Sequence, residues 1–263
     1  MTVHPYFQKL PRYLKAASNR LRKRRLVRSI VSRRTVAGYI LASNKYGAFC
    51  IPAVAAHRVA AQFVLAGDVW EADTVEFMVT HAKSGDVITA GTFFGDFLPA
   101  LSAATAPHGT VWAFEPNPES YRCAAITVLL NDLRNVKLTN AALGEKSDTR
   151  SLVVRDLTGQ ALGGGSRISD TTDLEGHTDA VPVNVVAIDD VVPGTAAVSV
   201  LQLDVEGFEE FALTGAVKTI ERSRPLLILE TVPRPESTAA RFLDSMRYRI
   251  TRRLSENVVL ECE

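Results

Sequence analysis

The sequence predicts an α/β fold, a mostly parallel sheet with helices on both faces, and three observations carry that prediction. From Asp86 onward, short apolar runs alternate with helical patterns, as in a parallel sheet covered on both sides. The first run, Val87–Ala90, ends in the glycine turn Gly91-Thr92-Phe93-Phe94-Gly95. The second ends at Glu115, 24 positions after Gly91. A tight glycine turn followed by an acid at the end of the next strand is how such folds hold a nucleoside, the acid accepting hydrogen bonds from the ribose hydroxyls.

In chain order, Pro5 to Arg34 carries apolar residues at mostly helical intervals among Lys and Arg, which predicts one or two amphipathic helices. Tyr39 to Leu41 and Arg58 to Leu65 are β-prone, the second ending at the turn signal Gly67-Asp68. Glu71 to Lys83 is helical and stops at Ser84-Gly85-Asp86. A helix from about Phe97 to Ala106 follows the glycine turn, then a strand at Thr110 to Phe114, a helix at Pro118 to Asp132 and a strand at Asn135 to Thr139. The stretch from about 149 to 192 breaks the rhythm with Gly163-Gly164-Gly165 and an alternating strand at Val181 to Ile188, so it is expected to be an insertion, part β-ribbon and part mobile loop. The sheet resumes at Val198 to Leu203, with a helix at Glu209 to Arg222 and a buried strand at Pro225 to Glu230. A helix at Arg241 to Arg247 and two strands, Tyr248 to Leu254 and Val258 to Cys262, close the chain. The expected organisation is a basic, partly helical extension over 1–66 and one domain over 67–263.

The formal net charge of +1 conceals an asymmetry. No Asp or Glu precedes Asp68, while that stretch holds 13 of the 30 Lys and Arg, leaving a net of −12 for the remainder. A basic front of this kind docks on an acidic body, a second subunit of a homo-oligomer or an anionic membrane surface; without interleaved aromatics on a recognisable module, no specific nucleic acid is expected. No apolar stretch approaches the roughly 18 residues needed to span a bilayer, and no signal-peptide pattern is present, so the expected compartment is the cytoplasm or the inner membrane surface. Cys50, Cys123 and Cys262 lack metal or redox spacing and are expected to be reduced and buried.

A dinucleotide site would place a glycine in the middle of the turn so that a pyrophosphate can settle on the helix N-terminus, whereas here that position is Phe93. A nucleoside ligand without a pyrophosphate fits better, and an NAD-dependent oxidoreductase is the weaker alternative. The order of Gly67-Asp68-Val69-Trp70-Glu71, the Gly91 turn, Ala113-Phe114-Glu115-Pro116-Asn117-Pro118, Asn140-Ala141-Ala142-Leu143-Gly144, Ala187-Ile188-Asp189-Asp190 and Leu203-Asp204-Val205-Glu206-Gly207-Phe208-Glu209 resembles the FkbM family of methyltransferases. The resemblance runs from about Gly67 to the C-terminus. It implies a Rossmann-like class I methyltransferase with a seven-stranded sheet, S-adenosyl-L-methionine as cofactor, and O-methylation of a sugar, glycan or related metabolite. Three positions depart from the family: Thr89 and Phe93 replace its usual acid and amide, which keeps open a non-catalytic protein that only binds the donor, and Gln202 replaces a Lys.

Together these readings place the donor against Glu71, Gly91, Thr92, Phe93 and Gly95, and against Glu115, Pro116, Asn117, Asn140 and Ala141. Methyl transfer to an oxygen needs a base for the hydroxyl proton. Asp204 and Glu206 follow a strand at the sheet edge where ligands bind, two residues apart and able to face the same way. Their competing structural roles are an N-cap by Asp204 and a first-turn carboxylate at Glu206. Arg167, beside the triple glycine, and His177 are candidates for acceptor contact. No metal is expected, although Asp204 with Glu206 would hold magnesium if a further ligand came from elsewhere.

Overall fold

The computed structural model describes residues 34–36, 38–82, 85–169 and 180–263. The expected helices of Pro5 to Arg34 and His177 lie outside them, apart from Arg34 itself. A three-stranded antiparallel sheet opens the described chain: β1 (Arg34–Val36), β2 (Tyr39–Ser43) and β3 (Ala48–Pro52). After a 3-10 turn at Ala53–Ala55 come α1 (Val59–Leu65) and α2 (Ala72–His81). The domain then alternates β4 (Asp86–Ala90), α3 (Leu98–Thr105), β5 (Val111–Phe114), α4 (Pro118–Leu130) and β6 (Val136–Thr139).

β7 (Ala142–Leu143) comes next, and the insertion adds β8 (Asp148–Val153), a 3-10 turn at Gly163–Gly165, β9 (Arg167–Ser169) and β10 (Ala180–Val186); the four strands form a sheet in the order β7-β10-β8-β9. The chain returns through α5 (Ile188–Val191) to β11 (Val198–Leu203), α6 (Glu209–Thr214), α7 (Val217–Ser223), β12 (Leu226–Leu229), α8 (Thr238–Ser245), β13 (Tyr248–Leu254) and β14 (Asn257–Cys262).

The main sheet has seven strands in the order β13-β14-β12-β11-β4-β5-β6. The pairs β12/β11, β11/β4, β4/β5 and β5/β6 are parallel, and β14 runs antiparallel between β12 and β13. The central strands are apolar on both faces because both faces are covered: Val87 and Ile88 of β4, and Val200 and Leu201 of β11, have no exposed surface. One apolar cluster joins Ile88, Phe114, Leu201 and Leu229 to α6, α7 and α8; another joins Val87, Val111, Val200 and Val259 to α2 and α3. The chain steps outward from β4 to β5 and β6, then back past β4 to β11 and β12, so the order reverses between β4 and β11. Open α/β sheets bind ligands at the carboxyl ends of the strands flanking such a reversal.

Two expected elements are corrected. Arg58 to Leu65 reads as β-prone, yet it folds as α1, because Ala61 and Val64 sit three apart on one face and bury there. The expected helix over Glu209 to Arg222 is two, broken at Gly215, where a Cβ would overlap the Gly144 carbonyl oxygen. Residues 39–65 pack on the domain. Phe49, Cys50 and Ile51 share an apolar cluster with Phe94, Cys123 and Ile126 of the body. The Cys50 amide donates to Thr127 Oγ1 at 3.1 Å, and the Asn131 side chain both accepts from the Ala48 amide and donates to its carbonyl. Cys50 and Cys123, 73 residues apart in sequence, are buried free thiols with Sγ atoms 3.9 Å apart. No helix among the described residues is long and apolar enough to cross a membrane.

Candidate functional site

Gly91 leaves β4 with a φ of +77°, and a Cβ there would overlap the backbone carbonyl of Asp204 beyond β11. Only glycine satisfies both the left-handed backbone and that close approach. The Gly91 amide donates to the Phe114 carbonyl at 3.1 Å, tying the turn to β5. Phe93 takes a left-handed φ of +46°, an unusual conformation for a bulky residue, and this aims its amide at Glu115 Oε2, 2.7 Å away. Glu115 Oε1 accepts from the Asn117 amide at 2.8 Å. Burial pushes the Glu115 carboxyl up to about 8, while the two amide donors pull it back. Asn140 Nδ2 donates to the Glu115 and Pro116 carbonyls, holding the strand end that presents the acid.

Two chambers meet at this edge and share Gly91, Gly164 and Asp204. The smaller is mostly apolar, walled by Phe114, Pro116, Ala141, Leu143 and Phe208 around Glu115. Its free volume is about 20 Å³, because Gly164, Ser166 and Ile168 of the insertion close it. The larger encloses about 230 Å³ and combines Trp70, Phe93 and Phe97 with Glu71, Asp96, Asp204, Glu206, Glu230 and Arg58.

Of the sequence-predicted donor residues, Glu71, Gly91, Thr92, Phe93, Glu115, Pro116 and Ala141 line these chambers. Gly95, Asn117 and Asn140 do not, and their roles are to shape what does. The Gly95 amide donates to the Thr92 carbonyl and so closes the turn. Asn117 caps α4 through the amides of Glu119 and Ser120 and donates to Ser166 Oγ at 3.0 Å. Asn140 positions the acid. Arg167 is exposed on β9 and outside the lining, though its charge acts on Glu206.

The predicted pair Asp204 and Glu206 is joined by Glu230 at the end of β12, and one oxygen from each lies within 4.8 Å of the others. Burial and the negative charge of Glu230 raise Asp204 well above the usual carboxylate range, and the two share a hydrogen bond. Glu206 is raised by desolvation and Glu230, and lowered by Arg58 and Arg167. It occupies a left-handed φ of +54° just before Gly207, a conformation that aims it at the chamber at a local energetic cost. The N-cap role for Asp204 does not hold: Phe208 precedes α6, and it is Glu209 that accepts from the Val205 amide.

Glu71 is anchored from the last strand by Asn257 Nδ2 at 2.5 Å, and burial raises its pKa. Desolvation pushes Asp96 up to about 7. Sequence reasoning missed Arg58, Asp96 and Glu230: Asp96 directly follows the glycine turn at Gly95, a signal that could have found it, whereas Arg58 and Glu230 belong to no local motif and only the chain order that brings β12 beside β11 hints at Glu230.

The departures at Thr89 and Gln202 are one feature. The two residues are register partners on β4 and β11, both buried, and Thr89 Oγ1 donates to Gln202 Oε1 at 2.5 Å. A neutral hydrogen-bonded pair thus stands where the resembling family has an acid and a Lys. Thr89→Val should cost about 1–3 kcal/mol in urea unfolding by leaving Gln202 unpaired, and adding Gln202→Leu should recover most of it. An equal loss in the double variant would mean that shape, rather than the hydrogen bond, matters there.

A family model described as the methyltransferase FkbM domain matches residues 86–253. No curated protein matches the chain significantly. Among solved structures, the chain is similar to methyltransferase FkbM from Methylobacillus flagellatus KT, at 18% identity over 68% of this chain and 43% of that one, with a TM-score of 0.48. This chain therefore spans less than half the length of that relative. It is also similar to an O-methyltransferase from Bacillus cereus in complex with SAH (14% identity, 80% and 89% covered, TM-score 0.43). A third is magnesium protoporphyrin IX methyltransferase from Synechocystis PCC 6803 with bound SAM (14%, 78% and 83%, 0.41).

Proposed function

The chain belongs to the FkbM methyltransferase family, and from that premise we propose that it transfers a methyl group from S-adenosyl-L-methionine to a hydroxyl of a sugar, glycan or related metabolite. The chemistry of the two chambers suits this donor. The apolar one with Glu115 matches an adenosyl group, whose ribose hydroxyls donate to a carboxylate; the acidic one matches the positive charge of a sulfonium and an ammonium. Bound there, the donor supplies an electrophilic methyl group whose transfer to the acceptor oxygen breaks the carbon–sulfur bond and leaves a neutral thioether.

The residues of this chain supply the rest. Gly164, Ser166 and Ile168 must move to admit an adenine, since the space of about 20 Å³ they leave holds little more than about one water. Once in place they exclude water from the reacting atoms. Glu206, backed by Asp204 and Glu230, is the proposed base: it takes the hydroxyl proton as the oxygen attacks and, being solvent-exposed, passes it to water.

The observation that carries the hydroxyl assignment is the trio of carboxylates that lines the larger chamber together with Trp70. Carboxylates accept from hydroxyls, and an aromatic face covers the apolar side of a sugar ring. The reading is tested by incubating the protein with methyl-labelled donor and a panel of hexoses, oligosaccharides and matched amines. Label should enter hydroxyl-bearing acceptors as alkali-stable ethers. Transfer to amines alone would replace the oxygen acceptor with a nitrogen one.

A further inference from the structure

Arg58 precedes α1 and lies outside the residues matched by the family model, yet it lines the larger chamber. The lining contains six carboxylates, from Glu71 to Glu256, and no other Arg or Lys. Among the described residues, however, the Arg58 guanidinium makes no hydrogen bond and no ion pair. Glu206 feels its charge without closing to ion-pair distance. Gly165 makes room for it: a Cβ there would stand 2.6 Å from Arg58 Nη2 and 3.4 Å from Glu206 Oε1. The half-buried guanidinium keeps its planar fork of donors free to meet a carboxylate.

Resting on the donor reading above, we propose that Arg58 receives the α-carboxylate of the donor's methionyl group, while Glu71 and Asp96 take its ammonium. An acceptor carrying a lone anionic group would have to enter a chamber dominated by negative charge. A zwitterionic amino-acid head adds no net charge and meets both signs. The neutral Thr89–Gln202 pair offers no charge of its own to that head, so the anion receptor comes from the N-terminal segment. The packing of residues 39–65 on the body then has a functional consequence, because it carries Arg58 into the site.

The test compares binding of S-adenosylmethionine with that of its decarboxylated form, which keeps the sulfonium and the amine, to wild-type protein, Arg58→Met and Arg58→Lys. Wild type should prefer the intact donor about tenfold or more. Arg58→Met should bind the decarboxylated form within about twofold of wild type and should lose the preference, because removing either partner removes the same interaction. Arg58→Lys should keep part of it. A wild type that binds both forms equally, or an Arg58→Met variant that keeps the full preference, overturns the assignment. An equal loss for both ligands in Arg58→Met also overturns it, showing a structural role. Failure of folded wild type to bind either form would instead remove the donor reading on which the assignment rests.

Discussion

Glu206→Gln is expected to lower the rate of methyl transfer about 10²-fold or more while leaving donor affinity nearly constant. The amide keeps the shape and the left-handed backbone of the turn but cannot accept the hydroxyl proton. Asp204→Asn should show a comparable loss if the pair acts as a unit, because Asp204 shares a hydrogen bond with Glu230 and so fixes the charge that Glu206 faces. The pH dependence follows from the direction of the shifts. Both Asp204 and Glu206 are raised by burial and by Glu230, so the acid limb of kcat/KM should lie above the ordinary carboxylate range and activity should fall as pH drops through it. Wild-type turnover in both amide variants would assign proton removal elsewhere, with His177 the next residue to replace.

Glu115→Ala should weaken donor binding by roughly 1.5–3 kcal/mol, the scale of hydrogen bonds to a charged group. The acid is buried, and its two backbone donors leave it aimed into the smaller chamber. Burial raises Glu115 to about 8 and Asp96 to about 7, and both must be ionised to meet ribose hydroxyls and a cationic head. Donor binding then releases protons, so affinity should climb as pH rises through 7 and level off above about 8. In the Glu115→Ala variant the upper part of that rise should vanish. Calorimetry across pH gives both numbers, and an affinity unchanged in a folded variant would take Glu115 out of the site.

The parallel core was legible because its strands are buried on both faces and read as short apolar runs; Val198–Leu203 and Tyr248–Leu254 have the predicted bounds. The donor edge was legible because its chemistry is local: a glycine that must approach a backbone carbonyl, and an acid at the next strand end. Arg58 to Leu65 misled because β-branched and apolar residues fit a strand as well as a short helix, and only packing decides. The third carboxylate was hidden for a different reason. Glu230 meets Asp204 through the β11–β12 pairing, 26 residues along the chain, and local spacing carries no trace of that contact. Arg58 is the extreme case, delivered by a segment whose sequence signals, β-prone runs and a basic charge, say nothing of a binding site.

The donor site and the catalytic role of Glu206 are tested most directly by a structure of the protein with bound S-adenosylhomocysteine or S-adenosylmethionine. In that structure the ribose hydroxyls should sit on Glu115, the adenine between Phe114, Leu143 and Phe208 with the Gly163–Ser166 segment displaced, and the Glu206 carboxylate within direct or one-water reach of the methyl position. A donor seated away from Glu115, or a Glu206 carboxylate more than roughly 8 Å from the methyl carbon, would contradict it.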